Sequence, residues 1–102
     1  REVSKVAKKE TETPIEGACH VGLIFRFKRP KSHYRSNGLL KQSAPAYLIV
    51  KKNDLDKLVR STLDALTGIA FKDDCQVTNL SATKRYCNED EVIGADILIN
   101  EL

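Results

Sequence analysis

Hydrophobic and polar positions alternate most strictly over "ACHVGLIFRFK", residues 18–28. Cys19, Val21, Leu23, Phe25 and Phe27 fall on one side, and His20, Gly22, Ile24, Arg26 and Lys28 on the other. A period of two with one apolar side predicts a strand with a buried face. A different period governs residues 54–67. Leu55, Leu58, Val59, Thr62, Leu63 and Leu66 recur at steps of three and four, which predicts an amphipathic helix. Gly68 follows at the position where glycine ends helices. At the amino end, Val3, Val6 and Ala7 in "REVSKVAKK" predict the tail of a helix, closed by Pro14 and Gly17. "CQVTNLSATKRY" (75–86) reads as a second strand and "CNEDE" (87–91) as a turn. "VIGADILINEL" (92–102) reads as a last strand with Ile93, Ala95, Ile97 and Ile99 on one side.

The stretch "RPKSHYRSNGLLKQSAPAY", residues 29–47, carries Pro30, Gly38 and Pro45 and predicts a long loop. Long loops in small domains usually serve a function or are disordered. The resulting order is helix tail, strand, loop, helix, strand, strand. It predicts an α/β or α+β domain, a small mixed sheet packed against helices. At 102 residues the chain makes a single domain, residues 1–102. Its first residue is Arg1, and an N-terminal trimming of the protein is expected on that ground.

Composition adds little until charge is placed along the chain. Net charge is +3, yet no acid lies between Glu16 and Asp54. That interval holds Arg26, Lys28, Arg29, Lys31, Arg35, Lys41, Lys51 and Lys52. A basic block set against an acidic centre suits an enzyme that handles a polyanion, and equally a solvated basic surface. Tyr34 within the loop could stack on a base or anchor the loop. His20 reads as structural or solvent-facing. The three cysteines, Cys19, Cys75 and Cys87, have no metal spacing and an odd count, which predicts free thiols in a reducing compartment. The apolar runs are too short to cross a bilayer.

The chemistry concentrates at "NDLDKLVR", where Asp54 and Asp56 open the helix. Two acids two residues apart diverge inside a helix, but at its start both can converge in front of the first turn. Helix capping by itself would account for them. It would not account for Asp73 and Asp74. The helix spans roughly 20 Å at 1.5 Å per residue. An extended return to Asp74 covers about 23 Å. The chain can therefore bring Asp74 back to Asp54 and Asp56. Three carboxylates together require a cation, and hard oxygen ligands suit Mg²⁺ or Mn²⁺. With basic residues nearby, the expected chemistry is metal-assisted phosphodiester hydrolysis. Arg60, one turn after Asp56, could orient Asp56, stabilise charge on phosphate, or form a plain surface pair.

"DLDKLVRSTLDALTG" followed by "FKDDCQV" resembles the RusA family of Holliday junction resolvases of bacteria and phages. The family pattern is Asp-x-Asp-Asn-Leu-x-Lys, an apolar helix ending near Asp-Ala-Leu, and Asp-Asp-x-Gln before a strand. The resemblance spans about residues 24–86. It implies a RusA-like fold whose first strand precedes Arg1. It implies metal ligands at Asp54, Asp56 and Asp74, with Arg60 as the basic residue of the catalytic set. The substrate implied is branched DNA, a four-way junction cut by a homodimer in the cytoplasm of a bacterial or phage-infected cell, with no membrane. Lys28, Arg29, Lys31, Arg35, Lys51, Lys52 and Lys57 are then the expected DNA contacts. Two positions depart from the pattern: Lys57 stands where the family has Asn, and Arg60 where it has Lys. Arginine binds phosphate through a fixed fork but does not give up its proton as lysine can. A junction-binding protein that does not cut is the alternative reading.

Overall fold

A computed structural model of the chain describes residues 13–50 and 54–102. The helix tail expected over residues 1–9 lies outside the described residues. Three strands and one helix make up the regular structure: β1 (Cys19–Phe27), α1 (Leu55–Leu66), β2 (Val77–Tyr86) and β3 (Gly94–Glu101). The sheet order is β2-β1-β3, with β1 in the centre. Strand β1 runs parallel to β2, so that Leu23 lies opposite Ala82. It runs antiparallel to β3, where Leu23 faces Ile97. The sheet is therefore mixed and the domain α+β, as the order of elements predicts. Parallel neighbours need a long crossover, and the basic loop together with α1 supplies it.

Alternation in β1 sets the core. Cys19, Val21, Leu23 and Phe25 are buried, while the residues between them are half-buried. Leu63 and Leu66 of α1, Ala70, Phe71 and Ile97 complete the cluster. Leu55, Leu58 and Val59 pack at its margin. All come from the helix stripe read in the sequence, so one face of the sheet is covered by α1. The other face carries His20, Gly22, Ile24 and Arg26, and there Arg26 forms an ion pair with Asp96 across to β3. The last strand begins two residues later than the alternation suggests. Ile93 precedes it and is exposed, because Gly94 at φ +155° redirects the backbone and Val92 turns its carbonyl to the Arg26 guanidinium.

The long loop is more ordered than its composition implies. Lys31–His33 form a 3₁₀ turn. Tyr34 and Leu40 then pair across a narrow hairpin. Arg35 N–H donates to the Leu39 carbonyl at 2.7 Å, and Lys41 N–H to that of His33 at 2.9 Å. Gly38 turns the tip at φ +86°. Tyr47 closes the loop by pairing with Arg85 of β2.

Candidate functional site

Asp54 occupies the position before α1 with an extended ψ of 135°, and its side chain makes no capping bond. Capping therefore does not account for this carboxylate. Its Oδ2 lies 4.0 Å from Lys57 Nζ, both side chains being well exposed. Asp56 sits in the first turn of the helix and is exposed. There the partial positive charge of the helix start favours an anion.

The second acidic pair arrives through a compact return. Thr67 ends the helix and Gly68, at φ +86°, reverses the chain. Gly68 N–H donates to the Phe71 carbonyl at 2.7 Å. Phe71 is fully buried and bridges both Thr67 and Ile15. The chain then makes a 3₁₀ turn, Asp74–Gln76, capped by Asp73, whose Oδ1 accepts from Cys75 N–H at 3.0 Å. That bond holds the Asp73 carboxyl below its ordinary pKa. The same carboxylate, hydrogen-bonded to the exposed Cys75 thiol, pushes that thiol up, so it is a poor nucleophile.

Asp74 ends beside the middle of α1. Its Oδ2 accepts from Arg60 Nη1 at 2.6 Å, and the same Nη1 lies 3.6 Å from Asp64 Oδ1. Arg60 is held above its ordinary pKa, first by the bond to Asp74 and then by the charges of Asp74 and Asp64. Beside this pair, Leu55, Asp56, Val59, Arg60, Leu80 and Ala82 line a shallow groove between α1 and β2. Asp56 and the partner of Asp74 thus share one groove.

The carboxylates have the donor chemistry of a divalent-cation site, since Mg²⁺ and Mn²⁺ take oxygen ligands. Their positions do not assemble one. Among the described residues, no group of three His, Cys, Asp or Glu stands close enough to hold a metal ion. Asp74 bonds Arg60 through Oδ2.

The basic residues divide. Lys28, Lys31, Arg35 and Lys57 are exposed. Lys51 and Lys52 lie outside the described residues. Arg29 is turned inward, 7% exposed. Its Nε donates to the Cys87 carbonyl at 2.8 Å and its Nη1 to the Pro45 carbonyl at 2.7 Å. It also lies over the Tyr86 ring at 5.3 Å, and His33 meets that ring edge-on at 4.7 Å. Arg29 thus pins the loop to the end of β2, because a buried guanidinium must find acceptors for its donors. His33 Nδ1 is 3.2 Å from Arg29 Nη1. Burial, then the charges of Arg29 and Lys41, hold His33 below its ordinary pKa. His20 is half-buried beside Ser81, with its Nε2 3.5 Å from the hydroxyl, as a structural histidine would be.

Gln76 closes the Asp-Asp-x-Gln element on which the family resemblance partly rests, and its side chain binds four backbone groups.

The chain is thus a small α+β domain with an acid-opened helix, a second acidic element returned to that helix, and a basic loop. The family model described as endodeoxyribonuclease RusA matches residues 1–94, and the chain belongs to that family. The family comprises endodeoxyribonucleases that act on branched DNA junctions. Comparison with curated proteins and with solved structures gives no significant match. Among the described residues, no helix is long and apolar enough to cross a membrane.

Proposed function

We propose that this chain is a structure-selective endonuclease that resolves four-way DNA junctions by phosphodiester hydrolysis, with Mg²⁺ or Mn²⁺ as cofactor. The observation that carries the reading is the return of Asp74 to the helix opened by Asp54 and Asp56, fixed by the 2.6 Å bond to Arg60. Asp54, Asp56 and Asp74 are the proposed ligands of the ion, which when bound would activate water and polarise phosphate. The Arg60 bond occupies one oxygen of the Asp74 carboxylate, which has a second. Arg60 carries a permanent charge and a fork that matches phosphate oxygens. Lys57 brings a second positive charge to the helix start. Lys28, Lys31 and Arg35 are the proposed contacts to the DNA arms, with Lys51 and Lys52 preceding the helix. Arg29 acts through the loop it anchors. The working form proposed is a homodimer in the cytoplasm, one site per opposed strand. The free thiols of Cys19, Cys75 and Cys87 suit a reducing compartment.

The test is cleavage of a synthetic four-way junction in Mg²⁺ and in Mn²⁺, with Asp54→Asn and Asp74→Asn alongside. The wild type should cut, and both variants should bind the junction without cutting. Full activity in both variants would remove the proposed site. The separation of the three acids favours a second reading, a junction-binding protein that does not cut. A wild-type gel shift with no cleavage in either ion would establish it.

A further inference from the structure

We infer that Gln76 is the positioning residue for Asp74, acting as a pin that fixes the acidic turn to the chain entering β1. The inference rests on Asp74 belonging to the proposed hydrolytic site. Gln76 Oε1 accepts from Lys72 N–H at 2.8 Å and from Asp73 N–H at 2.9 Å. Its Nε2 donates to the Ile15 carbonyl at 2.7 Å and to the Gly17 carbonyl at 3.0 Å. A primary amide has two lone pairs and two N–H donors, and here all four are used. The orientation is forced, because flipping the amide would set two N–H groups against its nitrogen and two carbonyls against its oxygen.

The geometry explains why the pin matters. Asp74 lies in a turn of three residues between Asp73 and Gln76. Gln76 N–H also closes that turn by donating to the Asp73 carbonyl at 3.0 Å. Sixty-one residues separate Gln76 from Ile15, so the amide joins the turn to a distant strand entry that is itself bridged to Phe71. The turn is thereby held from one side by Gln76 and from the other by the Arg60–Asp74 bond. Of these two holds, the amide bonds backbone groups and the Arg60–Asp74 bond joins two side chains.

The substitutions separate positioning from folding. Gln76→Glu is isosteric; it keeps the two bonds at Oε1 but turns a carboxylate oxygen toward two carbonyls. Gln76→Ala removes all four. Misplacing a reacting group by about 1 Å costs on the order of 10²-fold in rate. In junction cleavage, both variants should lose at least about tenfold in kcat per folded molecule, Gln76→Ala the more, while KM for the junction stays within about twofold. A merely structural role would lower the folded fraction and leave kcat per folded molecule unchanged, and that result overturns the inference. A second readout needs no activity. The NMR signal of the Arg60 guanidinium should move in both variants toward its position in Asp74→Asn; a signal that stays put also overturns the inference. In the wild type, the amide protons of Lys72 and Asp73, on two exposed residues, should exchange more slowly than in an unstructured chain. Exchange at the unstructured rate would show that no pin exists, even if both variants fail to fold. A wild type that cuts no junction would sink the nuclease reading, and the two NMR measurements would then decide the positioning claim alone.

Discussion

Arg60 and Asp74 are fourteen residues apart and joined by one bond of 2.6 Å between Nη1 and Oδ2. This bond places the second acidic element on the helix that the first one opens. Both partners lie at the surface, and exposed ion pairs contribute little to stability because water screens them. Their value is positional. Arg60→Gln should therefore leave the thermal midpoint nearly unmoved. It should reduce junction cleavage by about 10²–10³-fold, the usual effect of deleting one charge-stabilising donor. Arg60→Lys should recover part of that loss, since it keeps the charge and loses the fork. Paired melting curves and single-turnover cleavage rates make the comparison. A large fall in the melting midpoint of Arg60→Gln would show that the bond is structural instead.

Gly68 carries a different kind of constraint. It reverses the chain after α1 at φ +86°, and a Cβ built there would meet nothing within 4 Å. The cost of a side chain is thus purely conformational, about 1–2 kcal/mol for a left-handed non-glycine residue. Gly68→Ala should lower the urea midpoint by the corresponding amount with an unchanged slope. Gly68→Asn should recover part of the loss, because asparagine tolerates this region better than alanine. Equal stability of Gly68→Ala and wild type would contradict the backbone geometry.

The elements that the sequence announced are those with a strict period. In β1, Cys19, Val21, Leu23 and Phe25 are buried as alternation requires. In α1, Thr62, Leu63 and Leu66 are buried as the helical stripe requires. The two acidic elements of the site were equally visible, since they are contiguous in the chain. What stayed hidden depends on partners distant in sequence. Arg29 reads as one more cation in a basic run, but its acceptors are the carbonyls of Pro45 and Cys87, sixteen and fifty-eight residues away. Gln76 stands out as the last residue of the Asp-Asp-x-Gln element, but its partners, the carbonyls of Ile15 and Gly17, do not. The meeting of three carboxylates was allowed by chain length alone. The path taken instead delivers Asp74 to Arg60, and length could not choose between these ends.

The turn between β2 and β3 should give the domain an acid-dependent stability. Arg85 grips Glu91 with both terminal nitrogens, Nη1 to Oε1 at 2.6 Å and Nη2 to Oε2 at 2.8 Å. Asn88 N–H adds a third bond to Oε1 at 2.7 Å. These bonds, that with Arg85 first, lower the Glu91 pKa from 4.5 to about 2. A depressed carboxyl pKa means that the unfolded chain binds the proton more readily. The stabilisation is therefore fully present above pH 4.5 and lost as pH falls toward about 2. Glu91→Gln should be less stable than wild type at neutral pH, and the gap should close across that window. Urea midpoints measured at intervals of pH provide the check. A gap that persists unchanged at the acid end would mean that the loss in Glu91→Gln comes from packing rather than charge.

The hairpin bounded by the Tyr34–Leu40 bridge is the best place to separate electrostatic contact from scaffold. Lys31, in the 3₁₀ turn before it, and Arg35 upon it are exposed, whereas Arg29 beneath is buried and bonded to carbonyls. A cation that contacts phosphate releases counterions, and each contact contributes about 0.9 to the slope of log affinity against log salt. Lys31→Gln and Arg35→Gln should each lower the slope for junction binding by nearly that amount, with unchanged melting behaviour. Arg29→Gln should do the reverse. It leaves buried acceptors unpaired and should destabilise the fold, with a loss of affinity that follows unfolding rather than salt. Fluorescence anisotropy of a labelled four-way junction across a salt series, run beside melting curves, separates the two behaviours. A slope unchanged in both Lys31→Gln and Arg35→Gln would place the DNA path away from this hairpin. It would then shift the search to the helix start, where Lys57 stands beside Asp54.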